Sequence, residues 1–237
     1  MSDLAMSGVV MSGVVMSGLL TAMQHADSAF PSGSFAFSNG IEGLAALGPR
    51  LDRARLATAV DSTIRHRWAC GDRVAMVHAH RARDLDCVAA IDAAVEAATI
   101  AEPLRTGSKR NGGALLAAHV RLATPCAAAF RSLIDAGHAH GHLAVVQGLV
   151  WRNLGISEPH AVAMSGYTTA SGLVAAAVRL GQIGAIAAQA VLGSALCAVE
   201  EASREPVPAA LEIASFTPWL DVACARQAHA HVRLFSN

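Results

Sequence analysis

Histidines are the first residues in this chain that could do chemistry. Eleven stand among 237 residues, and seven fall in three close sets: His78-x-His80, His138-x-His140-x-His142 and His229-x-His231. Imidazole is the commonest transition-metal ligand and suits zinc, copper, iron and nickel. On a helix, residues i and i+2 point about 200° apart, so the x-separated pairs cannot share one ion without a kink. His138 and His142 are four apart and remain weak metal candidates, although Gly137 and Gly141 place them near a helix start. Surface or cap histidines are the plainer reading, and neither a resident metal nor a cofactor is expected.

Other chemistry is missing from the pattern. There is no Gly-x-x-x-x-Gly-Lys-Ser/Thr loop, no Gly-x-Ser-x-Gly elbow and no His-Glu-x-x-His. Ser34 sits in a Gly33-Ser34 turn with no base beside it in sequence. No catalytic residue is assigned, and the chain is not expected to be an enzyme. Arg105 and Lys109 are i, i+4 and share a helix face next to Arg110, which reads as a solvated basic turn. Arg179 is the one charge between His160 and Glu200. A lone charge in an apolar run is costly unless paired, so it must reach an edge or meet an acid from another segment.

Two segments spend apolar residues where a chain gains little by them. Phe30, Phe35 and Phe37 crowd a loop punctuated by Pro31-Ser32-Gly33-Ser34, in a chain with only six Phe, three Trp and one Tyr. The end of the sequence reads Arg233-Leu234-Phe235-Ser236-Asn237. A tail is ordinarily mobile unless docked, so Leu234 and Phe235 read as an anchor held out for a partner, with Arg233 as a bidentate donor.

These segments carry a resemblance to the urease accessory protein F family, UreF. Its N-terminal pattern is similar to Leu19-Leu20 followed by Pro31, Gly33, Phe35 and then Ser38-Asn39-Gly40-Ile41-Glu42; Phe37 departs from the His or Trp found in many relatives. A middle pattern fits Arg105, Ser108 and Gly112, and the C-terminal one fits Ser215-Phe216-Thr217-Pro218-Trp219-Leu220-Asp221 and the Arg233-Leu234-Phe235 ending. The resemblance covers about residues 16–237. It implies a compact all-helical, dimerising scaffold without catalysis of its own. Such a scaffold bridges accessory protein D (H in some organisms) and the GTPase G during nickel insertion into apo-urease, and governs GTPase activation. The partner-binding residues implied are Phe30, Pro31, Gly33, Phe35, Ser38, Glu42, Arg105, Ser108, Arg233, Leu234 and Phe235.

Composition bounds the alternatives. Hydrophobic residues make up 53% and charged residues 15%, with 18 basic against 18 acidic side chains. Without a basic excess to neutralise phosphates, nucleic acid is not an expected partner. So little charge favours association, and a homodimer is expected. Five widely spaced cysteines with no Cys-x-x-Cys read as small buried hydrophobes in a reducing cytoplasm.

Nearly every periodic segment reads as helix, which predicts an all-α single-domain bundle of about ten helices. Helices are expected at 16–26, 38–47, from an Asp52 cap to Trp68, and at 71–82, 84–102, 103–122, 125–136 and 140–154. A Ser157 cap opens a central apolar hairpin over 159–199 that breaks near Gly181–Gly184, and a last helical region spans roughly 207–232, interrupted near Pro218. Residues 1–15 repeat Met-Ser-Gly-Val-Val with a period that fits neither helix nor strand, and read as a low-complexity, disordered extension before a domain over 16–237. The rival classes are a helical metal enzyme built on the His sets and a small membrane protein. Tyr167, Thr168, Thr169, Gln182, Gln189 and several glycines argue against a span, and no membrane association is expected.

Overall fold

The structure is a computed structural model that describes residues 16, 18–33, 37–48, 50–227 and 234–235. Helix α1 covers residues 18–26. There follow α2 (Ile41–Leu47), α3 (Arg53–Thr63), a π-helical stretch (Ile64–Asp72), α4 (Arg73–Arg81), α5 (Leu85–Ala98), α6 (Glu102–Arg121) and α7 (Ala127–Asp135). The chain continues with α8 (Leu143–Asn153), α9 (Glu158–Arg179), α10 (Ala185–Arg204) and α11 (Pro218–Gln227). Among the described residues there is no β-strand. The protein is an all-α bundle in a single compact unit, as the helical periodicity predicts.

Local signals start and stop these helices. The Asp52 carboxylate accepts from Arg55 N–H and opens α3; Ser157 Oγ does the same for His160 N–H at α9. Pro103 occupies the first turn of α6, where its missing N–H costs nothing. Helix α2 begins at Ile41 instead of residue 38 because Asn39 and Gly40 both take positive φ (50° and 93°), which no helix tolerates.

The core is built around α8 and α9. Trp68, Trp151, Phe130, Ile64, Met76, Leu116 and Leu173 are fully buried. Helix α8 lies across α4 and α6; α10 runs along α9 and onto α3 and the π stretch. Gly148 makes the α8–α4 crossing tight: a Cβ there would stand 2.3 Å from the Met76 carbonyl oxygen. Helices α9 and α10 are both long and apolar enough to cross a membrane by length and composition alone. Here α9 is a core helix, while α10 turns Ile186 and Leu196 outward.

One predicted helix is absent. Residues 206–217 are not helical. The segment instead straps the π stretch, with Ala214 N–H donating to Cys70 O and Phe216 N–H to His66 O. Arg73, almost fully buried, ties the start of the strap: its Nη1 donates to Glu205 O at 2.8 Å and its Nε to Ala69 O at 3.1 Å. Burial holds its pKa below the usual guanidinium value.

The cysteines also correct an expectation. Only Cys224 is buried; Cys70, Cys126 and Cys197 are exposed and Cys87 is partly so, all as free thiols. Cysteine is apolar enough for a core, but it is small enough to sit on helix faces the core does not need.

Candidate functional site

The best-marked N-terminal segment and the tail meet in the fold. Leu234 N–H donates to Glu42 Oε1 at 2.7 Å. Phe235 is 7% exposed and belongs to the main core, whereas Leu234 beside it is 73% exposed. The Arg179 guanidinium lies 4.3 Å from the Phe235 ring centroid and its Nε donates to Ala175 O. This resolves the lone charge of the apolar hairpin: its head caps an aromatic face while burial lowers its pKa. Phe235 is therefore packed within its own chain, not held out as the sequence suggests; Leu234 is the exposed member of the pair.

The loop is likewise folded inward. Ser38 is fully buried and Phe37 nearly so, against Gly107 and beneath the Arg110 guanidinium at 5.6 Å. Phe30 is half-buried and Pro31 exposed. Gly33 takes φ +73° with Asn111 and Ala114 of α6 against it, a conformation that favours glycine. Glu42 Oε2 is buried with no hydrogen-bond partner. Phe35, Arg233, His229 and His231 lie outside the described residues, as do residues 1–15.

Arg105 and Ser108 of α6 and His142 at the start of α8, candidates from two separate parts of the sequence, converge in one polar knot. His142 is fully buried, with Nδ1 3.1 Å from Ser108 Oγ and Nε2 2.8 Å from Glu96 Oε2. Leu143 N–H donates to Ser108 Oγ at 3.2 Å. The Ser108 hydroxyl thus donates onward to His142 Nδ1, and His142 Nε2–H donates to the carboxylate. That directionality suits a neutral imidazole, and burial indeed pushes the His142 pKa down against the pull of Asp92 and Glu96. Glu96 also takes Lys109 Nζ at 3.0 Å and Arg105 Nε at 3.3 Å. Burial works to raise the Glu96 pKa, but the Lys109 and His142 hydrogen bonds outweigh it and hold the carboxyl below its ordinary value.

Beneath this knot Asp92, also fully buried, accepts the N–H groups of His140 (2.6 Å), Gly141 (2.7 Å) and His142 (2.9 Å). The carboxylate replaces the partners that a turn before a helix lacks. His138 is exposed in the turn after α7, so the predicted His138–His142 pair is not a helical i, i+4 pair and does not converge. Among the described residues no group of three His, Cys, Asp or Glu side chains is placed to hold a metal ion. Sequence reasoning missed Asp92 and Glu96. Two acids at i, i+4 in the apolar stretch Ile91-Asp-Ala-Ala-Val-Glu96 were the available signal.

Between knot and tail lies a cavity of about 320 Å³, whose walls include Ser108, Asn111, Gln147, Ser165, Thr169 and Arg179. Asn111 and Trp151 are among its lining residues, and Asn111 Oδ1 and Trp151 Nε1 are buried with no hydrogen-bond partner among the described residues. A cavity of this size and polarity suits water.

The UreF family profile matches residues 51–196. The chain is 30% identical over 224 residues to the urease accessory protein UreF of Yersinia pseudotuberculosis, covering 92% of this chain and 98% of the relative. The chain belongs to the UreF family. The UreF proteins of Corynebacterium efficiens and Trichodesmium erythraeum are equally similar, at 30% identity over 91% and 92% of this chain and 95% and 96% of theirs. These matches extend beyond the profile toward both ends of the chain, where the loop and the tail of this UreF member meet.

Proposed function

We propose that this UreF member is a urease accessory protein, acting as a scaffold in nickel insertion and not as an enzyme. In this reading it bridges accessory protein D (H) and the GTPase G, which supplies the nickel for apo-urease, and governs GTPase activation in the cytoplasm. The observation that carries it is the joining of the two segments most like the family at Glu42–Leu234, under Arg179 and Phe235. A buried Phe235 beside an exposed Leu234, joined to Glu42, offers a fixed surface, which is what a bridging scaffold needs.

A homodimer belongs to the same proposal. Met16, Leu19, Leu20 and Met23 form an exposed apolar stripe on the N-terminal helix at i, i+3, i+4, i+7 spacing, and α10 exposes Ile186. An apolar stripe with no charge in it fits a second copy of itself in a two-fold contact. Residues 1–15 precede this stripe and are proposed to be dispensable.

The test is co-expression with the other accessory proteins and urease, followed by pull-down. Arg233→Ala, adjacent to the Glu42 contact, is expected to leave circular dichroism unchanged while weakening GTPase recruitment and urease activation. Removing one partner of a desolvated charged contact costs about 2–5 kcal/mol. Full activation by the variant would remove the tail from the interface. Deleting residues 1–15 is expected to change neither melting temperature nor recruitment. Sedimentation is expected to show a dimer that Leu20→Glu dissociates.

A further inference from the structure

Helix α1 is fastened to the bundle by three rings. His25 on α1 stacks on His119 of α6, with centroids 5.4 Å apart and planes 18° from parallel. Phe30, in the loop after α1, closes the cluster at 4.5 Å from His25 and 5.6 Å from His119. His119 is fully buried and His25 nearly so. Each imidazole has one nitrogen engaged: His25 Nδ1 lies 2.8 Å from Thr21 O and His119 Nδ1 lies 2.9 Å from Thr124 Oγ1. A carbonyl can only accept, so His25 Nδ1 carries the proton and its Nε2 is a bare lone pair. Both Nε2 atoms are buried with no hydrogen-bond partner among the described residues.

We propose that His25 and His119 form an acid-released latch that holds α1 and its following loop, residues 18–33, against α6. With both rings neutral the cluster is an aromatic contact between two elements. A protonated His119 ring carries an Nε2–H with no acceptor among the described residues, and its charge faces the second imidazole across the stack. Charge in that position is relieved by opening, which returns the imidazole to water. The elements around His119 offer no compensation. Titratable side chains on the elements around it include His25 on α1, Asp27 in the loop after α1, Arg121 on its own helix, and Arg131 and Asp135, paired on α7. Of these only His25 acts on His119, and it acts against the charged form. Burial, the larger cause, and His25 together push the His119 pKa from 6.5 down to about 4. The proton therefore prefers the open state throughout the interval between those values.

The test is amide hydrogen exchange of the full chain from pH 7 to pH 4.5, comparing residues 18–33 with α8 and α9 in the same sample. Protection of 18–33, corrected for intrinsic exchange, is expected to fall about 30-fold between pH 7 and pH 5 while α8 and α9 keep theirs. In His119→Phe, which keeps the ring and removes the titration, the fall is expected to be largely absent. His119→Gln serves as the second variant should the first fold poorly. An imidazole C–H titration of the wild type by NMR gives an independent readout: a normal His119 midpoint near 6.5 overturns the latch. Loss of protection in step with α8 and α9, or an unchanged fall in both variants, overturns it as well.

Discussion

Leu234 N–H and Glu42 Oε1 lie 2.7 Å apart across a separation of 192 residues. This hydrogen bond sets the last described residues beside the first turn of α2. It also gives a buried carboxylate its one partner among the described residues, since Glu42 Oε2 has none.

Glu42→Leu is expected to release the tail. A hydrogen bond to a charged acceptor contributes about 1.5–3 kcal/mol, and a chain of this size loses about 2–4 °C of melting temperature per kcal/mol. Carboxypeptidase digestion of the variant should accelerate, while Glu42→Gln, which keeps a carbonyl acceptor, should digest nearly as slowly as wild type. Equal digestion of Glu42→Leu and wild type would show that the tail is held by Phe235 alone.

Asp92→Ala leaves three backbone donors, those of His140, Gly141 and His142, without their acceptor. Each unmet buried donor costs about 1–3 kcal/mol, so a loss of at least about 3 kcal/mol is expected, with Asp92→Asn intermediate. Calorimetry reads this as a drop in melting temperature near 10 °C. A drop within 2 °C would mean that water replaces the carboxylate without penalty.

Gly112→Ala tests the same joint sterically. A Cβ at Gly112 would stand 2.0 Å from the Gly141 carbonyl oxygen, a backbone atom that cannot step aside without moving the Asp92-bound turn. Overpacking costs about 1–3 kcal/mol or more. Gly113→Ala, where a Cβ meets open space, is the matched control and should be neutral or slightly stabilising.

Iodoacetamide at pH 8 should modify Cys70, Cys126 and Cys197 readily, Cys87 slowly and Cys224 not at all in the folded protein. Burial pushes the Cys224 thiol up to about 11, so both access and thiolate are lacking. Peptide mass spectrometry after short exposure decides it; early labelling of Cys224 would mean that α11 opens.

Helix positions, the Asp52 and Ser157 caps and the central hairpin were legible in the sequence because each rests on local pattern. Arg105, Ser108 and His142 were legible as residue types, but not as one site. Their meeting depends on Asp92 and Glu96, whose spacing on α5 looked like ordinary helix surface. The strap was misread because Ala209-Ala-Leu-Glu-Ile-Ala214 has helical composition. What decides it is distant: the carbonyls of His66 and Cys70 offer hydrogen bonds that residues 214 and 216 take instead of their own helix. Phe235 was misread for the same reason, since its cover, Arg179, lies on another helix.

The strap runs antiparallel to the helix it covers, and its two bonds are commensurate with it. Two residues of strap, 214 to 216, span four of helix, 70 back to 66. Two extended residues cover about 6.6 Å, which lets residues 214 and 216 reach carbonyls four residues apart on the helix. An insertion or deletion between 213 and 217 would break this pairing and swing α11, and with it the Phe216–Trp219 surface, off the bundle. The start of the strap is fastened too, with Arg81 Nη1 donating to Val207 O and His78 Nε2 lying 3.1 Å from Pro208 O. Only residues 209–213, between the two sets of bonds, make no hydrogen bond among the described residues, and an added residue there is expected only to deepen a bend.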